Sequence, residues 1–353
     1  MHIRFLKAIF TTFLLAVFPG KGLYAQSFDV DSALSTMSVD EKIGQLFMVA
    51  AYSNKDEGHQ AELEKLVRDY HIGGVIVMQG GPERQKKLLQ RLQGVAALPL
   101  LVGQDAEWGQ AMRLDSTYKF PTSLTVGAAG GATEAYDLGH ALADECSAVG
   151  VHISFSPVLD VNTNPNNPII GARSFGSDPD LVKELGVAVV DGIQDKGVLA
   201  CGKHFPGHGD THQDSHKTLP KIDRTSSELM EVEWVPFKGA IDAGVGAIMI
   251  AHLNIPSLEP SGKPTSLSRK LIQEILRDQW GYKGLVITDA LNMKGAAAFA
   301  PPGELELAAF AAGNDILLFP MNVPKATKAF RNALAKDKIS IKSLDERVRI
   351  ILV

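Results

Sequence analysis

Eight short apolar runs recur along this chain with helical stretches between them, and that alternation limits its fold more than any other feature. The runs lie at 46–50, 74–78, 98–104, 151–158, 198–202, 247–251, 285–288 and 316–319, each rich in Val, Ile, Leu or Ala. Near-continuous apolar runs fit parallel strands buried on both faces. Between them lie amphipathic stretches such as 61–70, 134–149, 179–196 and 269–279. Strand followed by helix, about eight times, predicts a closed (β/α)8 barrel of the α/β class; a doubly wound open sheet is the competing arrangement. A length of 353 residues suits one such barrel as a single unit. Ser38 is placed to cap a helix opening with Asp40 and Glu41 ahead of the first strand. The final stretch, 345–353, reads as an amphipathic helix, and its abrupt finish fits a fragment of something longer.

The first residues carry a different pattern. Arg4 and Lys7 precede an apolar run, 8–18, and Leu23-Tyr24-Ala25 follows a Gly-Lys-Gly break. A charged start, a short apolar segment and small residues at its end predict a signal peptide over 1–25, cleaved after Ala25. The run is too short to span a bilayer comfortably, although an uncleaved anchor is the alternative. No cysteine follows it, which argues against a lipoprotein. The mature protein is therefore expected in the periplasm or outside the cell, without stable membrane association. Only Cys146 and Cys201 are present, too few for a disulfide framework; two buried thiols are expected, with a single bridge as the alternative. A net charge of -5 and the lack of a basic run argue against nucleic acid as a partner. No Gly-rich phosphate loop stands in the required context, so no organic cofactor is expected.

In such barrels the reactive groups sit at the C-terminal ends of strands and in the loops that follow. Here the runs end in or lead to Gln104-Asp105, Asp160, Lys203-His204, His252 and Asp289. The richest segment is 203–216, KHFPGHGDTHQDSH, whose Pro206, Gly207 and Gly209 make it a loop. Its histidines at 204, 208, 212 and 216 would align on a helix as metal ligands, but the glycines and proline oppose that helix. For His208 and His212, packing within the loop is the simpler role. In Asp214-Ser215-His216 a carboxylate two residues from an imidazole can orient it and stabilise its charged form, giving an acid/base pair. Asp289, at the end of the seventh run, can attack an anomeric carbon or, more plainly, cap the following helix.

These motifs together resemble glycoside hydrolase family 3 in its β-N-acetylglucosaminidase branch. The resemblance rests on KHFPGHGDT at 203–211, DSH at 214–216, ARSFGSDP at 172–179, PVLDVN at 157–162 and ITDALNMKG at 287–295, and runs from about residue 36 to the C-terminus. It implies a TIM barrel over 33–353, no metal or cofactor, and a retaining double displacement on an amino-sugar glycan. In that scheme Asp289 is the nucleophile, His216 the general acid and then base, and Asp214 its partner. Asp105, Arg113, Arg173, Lys203 and His204 match positions that hold the sugar. The segment QDAEWGQAMR at 104–113 departs from the commoner pattern of an acidic residue and two glycines before the arginine, and resembles exported Bacteroidetes members, some with a further C-terminal domain. That departure bears on Arg113 and on the shape of the sugar pocket.

Three other readings compete: a metal-dependent barrel hydrolase using the histidine cluster, a non-catalytic glycan-binding barrel, and phosphorolysis in place of hydrolysis. Shared placement of most histidines on one loop counts against the first, and the intact Asp214, His216 and Asp289 against the second.

Overall fold

The computed structural model describes residues 29–215 and 217–353; the expected signal peptide and His216 lie outside them. Eight parallel strands form the centre: β1 (Phe47–Ala51), β2 (Gly74–Val77), β3 (Leu101–Gln104), β4 (Ile153–Ser154), β5 (Leu199–Phe205), β6 (Ala247–Ile250), β7 (Leu285–Thr288) and β8 (Leu317–Leu318). Their order, β7-β6-β5-β4-β3-β2-β1-β8, follows the chain around a ring. A parallel bridge between Ile287 and Ile316 joins the two ends, and Thr288 N–H donates to the Ile316 carbonyl at 3.0 Å. The result is the (β/α)8 barrel expected from the alternation, not an open sheet.

Several strands are shorter than their apolar runs. β4 keeps two residues of the run 151–158. Helices Glu57–Tyr70, Ala132–Ala148 and Pro179–Gln194 occupy the expected amphipathic stretches. Lys270–Gln279 is also helical, with the wider π winding. Ser38 caps the helix Val39–Gln45 in a reciprocal capping box with Glu41, and Ile341–Leu352 forms the last helix. No helix among the described residues is long and apolar enough to cross a membrane.

The barrel interior is a separate apolar plug. Alternate strand residues point inward, so Met48, Ile76, Phe155, Cys201, Met249, Ile287 and Leu318 fill it. The opposite faces of the strands pack against the helices in a second, larger cluster. Both cysteines are buried and free, and burial pushes each thiol up to about 12.

Candidate active site

Two residues beyond the plug, the same inward alternation delivers charge. Gly103 is followed by Asp105, Cys201 by Lys203 and Ile287 by Asp289, and all three charged residues line one cavity of about 530 Å³ at the C-terminal end of the barrel. His204 joins them although it is adjacent to Lys203. The pairing of β5 with β6 is irregular between Gly202 and Phe205, which frees this stretch from strict alternation. The Lys203–His204 and Phe205–Pro206 peptide bonds are cis.

The charges form a ladder of alternating sign across the cavity floor. Arg113 pairs with Asp105, and Asp105 accepts from Lys203 Nζ at 2.8 Å. Lys203 Nζ also reaches Glu107 Oε1 at 2.7 Å. Glu107 in turn receives both arms of Arg173, Nε at 2.8 Å and Nη2 at 2.7 Å, a bidentate pair. Burial opposes ionisation of Asp105 and Glu107, yet the neighbouring cations win: both carboxyls are lowered, Glu107 to about 2. Lys203 is held charged by the same two carboxylates against its own burial.

Beyond Arg173 the network continues as polar contacts. Arg173 Nη2 lies 3.3 Å from His204 Nε2. A guanidinium can only donate, so Nε2 accepts and Nδ1 carries the hydrogen, which it gives to Asp160 Oδ2 at 2.7 Å. Asp160 also accepts from the backbone N–H of His204 at 3.2 Å and of His208 at 2.7 Å. Burial raises and these partners lower its carboxyl, with a lowered net result. One buried carboxylate thus ties the fourth strand's loop to the start of the loop after β5.

Among the described residues Asp289 makes no ion pair of this kind. Its N–H donates to the Ile250 carbonyl at 2.8 Å, and its Oδ1 accepts from Ala290 N–H at 2.8 Å. Burial opposes its charge, but His204, His252, the Ala290 N–H and Lys203 outweigh that and keep its carboxyl below the ordinary value. It is an ionised carboxylate at a strand tip, facing a cavity rimmed by cations and able to act as a nucleophile.

The structure therefore brings Asp105, Arg113, Arg173, Lys203, His204 and Asp289 together as the sequence suggested. Asp214 is not among the residues lining the cavity; its carbonyl accepts from Lys217 and Thr218 N–H, and Lys217 Nζ stands 3.7 Å from its carboxylate. Its pairing with His216 falls outside the described residues. His252 is not among the residues lining the cavity; its Nδ1 lies 2.7 Å from Ser266 Oγ and its Nε2 3.1 Å from the Ala290 carbonyl. His212 packs within the loop region, its Nδ1 3.0 Å from Asn164 Nδ2. Sequence reasoning passed over Glu107, the hub of the ladder. Its inward alternation with Asp105 was the available signal. Trp108, from the segment expected to affect the shape of the sugar pocket, also lines the cavity, as do Met112, His208 and Ser215, which were not singled out as sugar-binding or catalytic.

A closed parallel barrel with a charged cavity at its C-terminal mouth defines an α/β-barrel enzyme scaffold. The chain belongs to glycosyl hydrolase family 3: residues 38–353 match the glycosyl hydrolase family 3 N terminal domain. It is similar to a β-hexosaminidase A from Pseudoalteromonas piscicida, 35% identical over 286 residues, covering 74% of this chain and 48% of that protein. Among solved structures it resembles a family 3 β-N-acetylglucosaminidase from Paenibacillus sp. str. FPU-7, with a TM-score of 0.85, 37% identity, and coverage of 90% of this chain and 62% of that one. A β-glucoside phosphorylase is as similar in shape, with a TM-score of 0.86, 30% identity, and coverage of 92% of this chain and 59% of that one. The chain thus spans about half the length of that curated relative.

Proposed function

We propose that this protein is a retaining exo-glycosidase, a β-N-acetylhexosaminidase that removes terminal β-linked N-acetylglucosamine from peptidoglycan fragments or related oligosaccharides. The observation that carries the reading is the ionised Asp289 carboxylate in the same cavity as the Asp105–Lys203–Glu107–Arg173 ladder. An oxocarbenium-like transition state develops positive charge at the anomeric carbon, which a carboxylate both stabilises and attacks. Lys203 uses two of its three N–H donors on carboxylates and retains one for a sugar hydroxyl. Asp105, which lines the cavity, is an acceptor fixed in place by cations and suited to another hydroxyl, while Glu107 holds Lys203 and Arg173 in position. In this reading Asp289 forms the glycosyl-enzyme, and His216 with Asp214 donates the proton to the leaving oxygen and then activates water. The similarity to a β-hexosaminidase and a β-N-acetylglucosaminidase supports the amino-sugar specificity. Residues 1–25 would direct export, placing the enzyme in the periplasm or outside the cell.

Phosphorolysis is a second reading, favoured by the similarity to a β-glucoside phosphorylase. A histidine acid/base repels an incoming phosphate less than a carboxylate would. The test is cleavage of a chromogenic β-N-acetylglucosaminide by purified protein, with and without phosphate and EDTA, beside Asp289→Ala and His216→Ala. The expected result is EDTA-insensitive release of N-acetylglucosamine, a loss of at least ~10³-fold in Asp289→Ala, and strong impairment in His216→Ala. A sugar 1-phosphate product would select the second reading. Full activity in Asp289→Ala would overturn the nucleophile assignment.

A further inference from the structure

The chain has three tryptophans, and one of them is placed unlike the others. Trp234 and Trp280 meet at 5.2 Å between ring centroids, and both pack against Phe205, at 6.2 and 5.4 Å. That cluster is structural. Trp108 is half-buried and lines the cavity, and no aromatic ring pairs with it among the described residues. The loop after β3 fixes its position. The Trp108 carbonyl accepts from Phe120 N–H at 3.1 Å. Gly109, the next residue, has a φ of +83°, and a Cβ there would stand 2.6 Å from Phe120 Cδ2. Gln110 N–H donates to Glu145 Oε2 at 2.8 Å. The same closure brings Lys119 beside the indole, with Nζ 5.8 Å from the ring centroid. Lys119 is exposed and Tyr118 is 84% exposed, so this side of the cavity is its rim.

A half-buried indole with no ring packed on it keeps apolar surface in water, and a ligand that covers it removes that surface. Depth decides which part of a ligand meets it. The ladder lies on the cavity floor, where the Lys203 side chain is 2% exposed. In an exo-acting enzyme the terminal sugar sits there with its C1 towards Asp289, and the leaving group is left on the open side. The C–H bonds on one face of a pyranose carry partial positive charge, which complements the negative face of an indole. From this placement we infer that Trp108 is a stacking platform for the first sugar of the leaving group, making it a specificity-determining residue for saccharide over small leaving groups. Its fixed loop means that little conformational freedom is lost when the sugar stacks. The inference rests on the proposed glycosidase reading and deepens it.

The experiment compares wild type, Trp108→Ala and Trp108→Phe on N,N′-diacetylchitobiose and on methyl N-acetyl-β-glucosaminide. Both substrates present the same terminal sugar and an alkoxide leaving group, but only the first places a second sugar at the rim. Removing one aromatic face costs roughly 10-fold in kcat/KM. That loss is expected for Trp108→Ala on the disaccharide, with a much smaller one on the methyl glycoside and partial rescue in Trp108→Phe. Equal fractional losses on both substrates would place Trp108 against the terminal sugar or in the scaffold, and would overturn the inference while leaving the glycosidase reading intact. An unchanged rate on the disaccharide would do the same. A wild type that cleaves neither substrate would overturn both readings. Indole fluorescence in Asp289→Ala, which binds without cleaving, gives a second readout. The emission should shift more on adding N,N′-diacetylchitobiose than on adding N-acetylglucosamine, and that difference should vanish when Trp108→Phe is added. Equal shifts with the two sugars contradict the assignment.

Discussion

The barrel interior and the cavity above it are built on the same strands by the same alternation, one step apart, yet they are held together by different physics. Below, Cys201, Ile287 and Phe155 form an apolar plug whose stability is burial and packing. Above, Lys203 and Asp289 continue the inward positions of β5 and β7, and Lys203 is held by charges matched to it from the loop after β3. The plug tolerates exchange among apolar side chains of similar volume. The ladder does not, because removing one member strands its neighbours as buried, uncompensated charges. Backbone geometry chooses the direction of each side chain, and the chemical identity two residues later decides whether that direction means core or site.

The largest test of this contrast uses adjacent inward positions of β5. Lys203→Met should lower unfolding free energy by about 3–5 kcal/mol, since Asp105 and Glu107 lose the cation between them. Cys201→Val, a modest volume change in the plug, should cost less than about 1.5 kcal/mol. Urea denaturation of both variants measures the difference, and equal losses would erase the distinction between the two layers.

A smaller effect tests whether the plug supports the cavity floor. Gly103 leaves room for the Phe155 ring: a Cβ there would stand 2.6 Å from Phe155 Cζ and 3.2 Å from Ile153 Cγ2. Gly103→Ala must displace that ring, at a cost of about 1–3 kcal/mol. Phe155 also lines the cavity, so catalytic rate per folded molecule shows how far the strain travels. An unchanged rate would mean that the two layers are mechanically separate, whereas a loss would mean that the plug sets the floor.

Much of this was legible in the sequence, and the reason is physical. Apolar runs of four to eight residues have few uses other than buried parallel strands, so the (β/α)8 barrel followed from their number and spacing. Asp105, Lys203, His204 and Asp289 were visible as polar residues where such runs end. Partnership was not visible. Glu107 reads as an ordinary acidic residue until the fold brings Lys203 and Arg173, 96 and 66 positions away in sequence (203 − 107 and 173 − 107), onto its two oxygens. His252 ends a run as clearly as Asp289 does but is not among the residues lining the cavity, and its ring is held by Ser266 Oγ and the Ala290 carbonyl. His208 looked like loop packing, and its Nδ1 contact with Thr211 Oγ1 fits that reading.

The smallest effect separates carboxylates from imidazole within the charged layer by their pH windows. Glu107 is depressed to about 2 from an ordinary 4.5, so its contribution is full above about pH 4.5 and is lost as pH falls from there towards 2. His208 is depressed to about 4 from 6.5. Below 6.5 the unfolded chain takes up a proton that folded His208 refuses, so stability falls with pH in a window above that of the carboxylate. Between pH 7 and 5.5 this difference amounts to about 1 kcal/mol for His208, while Glu107 contributes almost nothing. Wild type should therefore lose stability over that interval by about 1 kcal/mol more than His208→Asn does, and the two curves should run parallel below about pH 4. Measured urea midpoints at pH 7, 5.5 and 4 decide it. Parallel curves over the whole range would mean that folded His208 takes up its proton at the same pH as in the unfolded chain, so that burial does not hold it neutral.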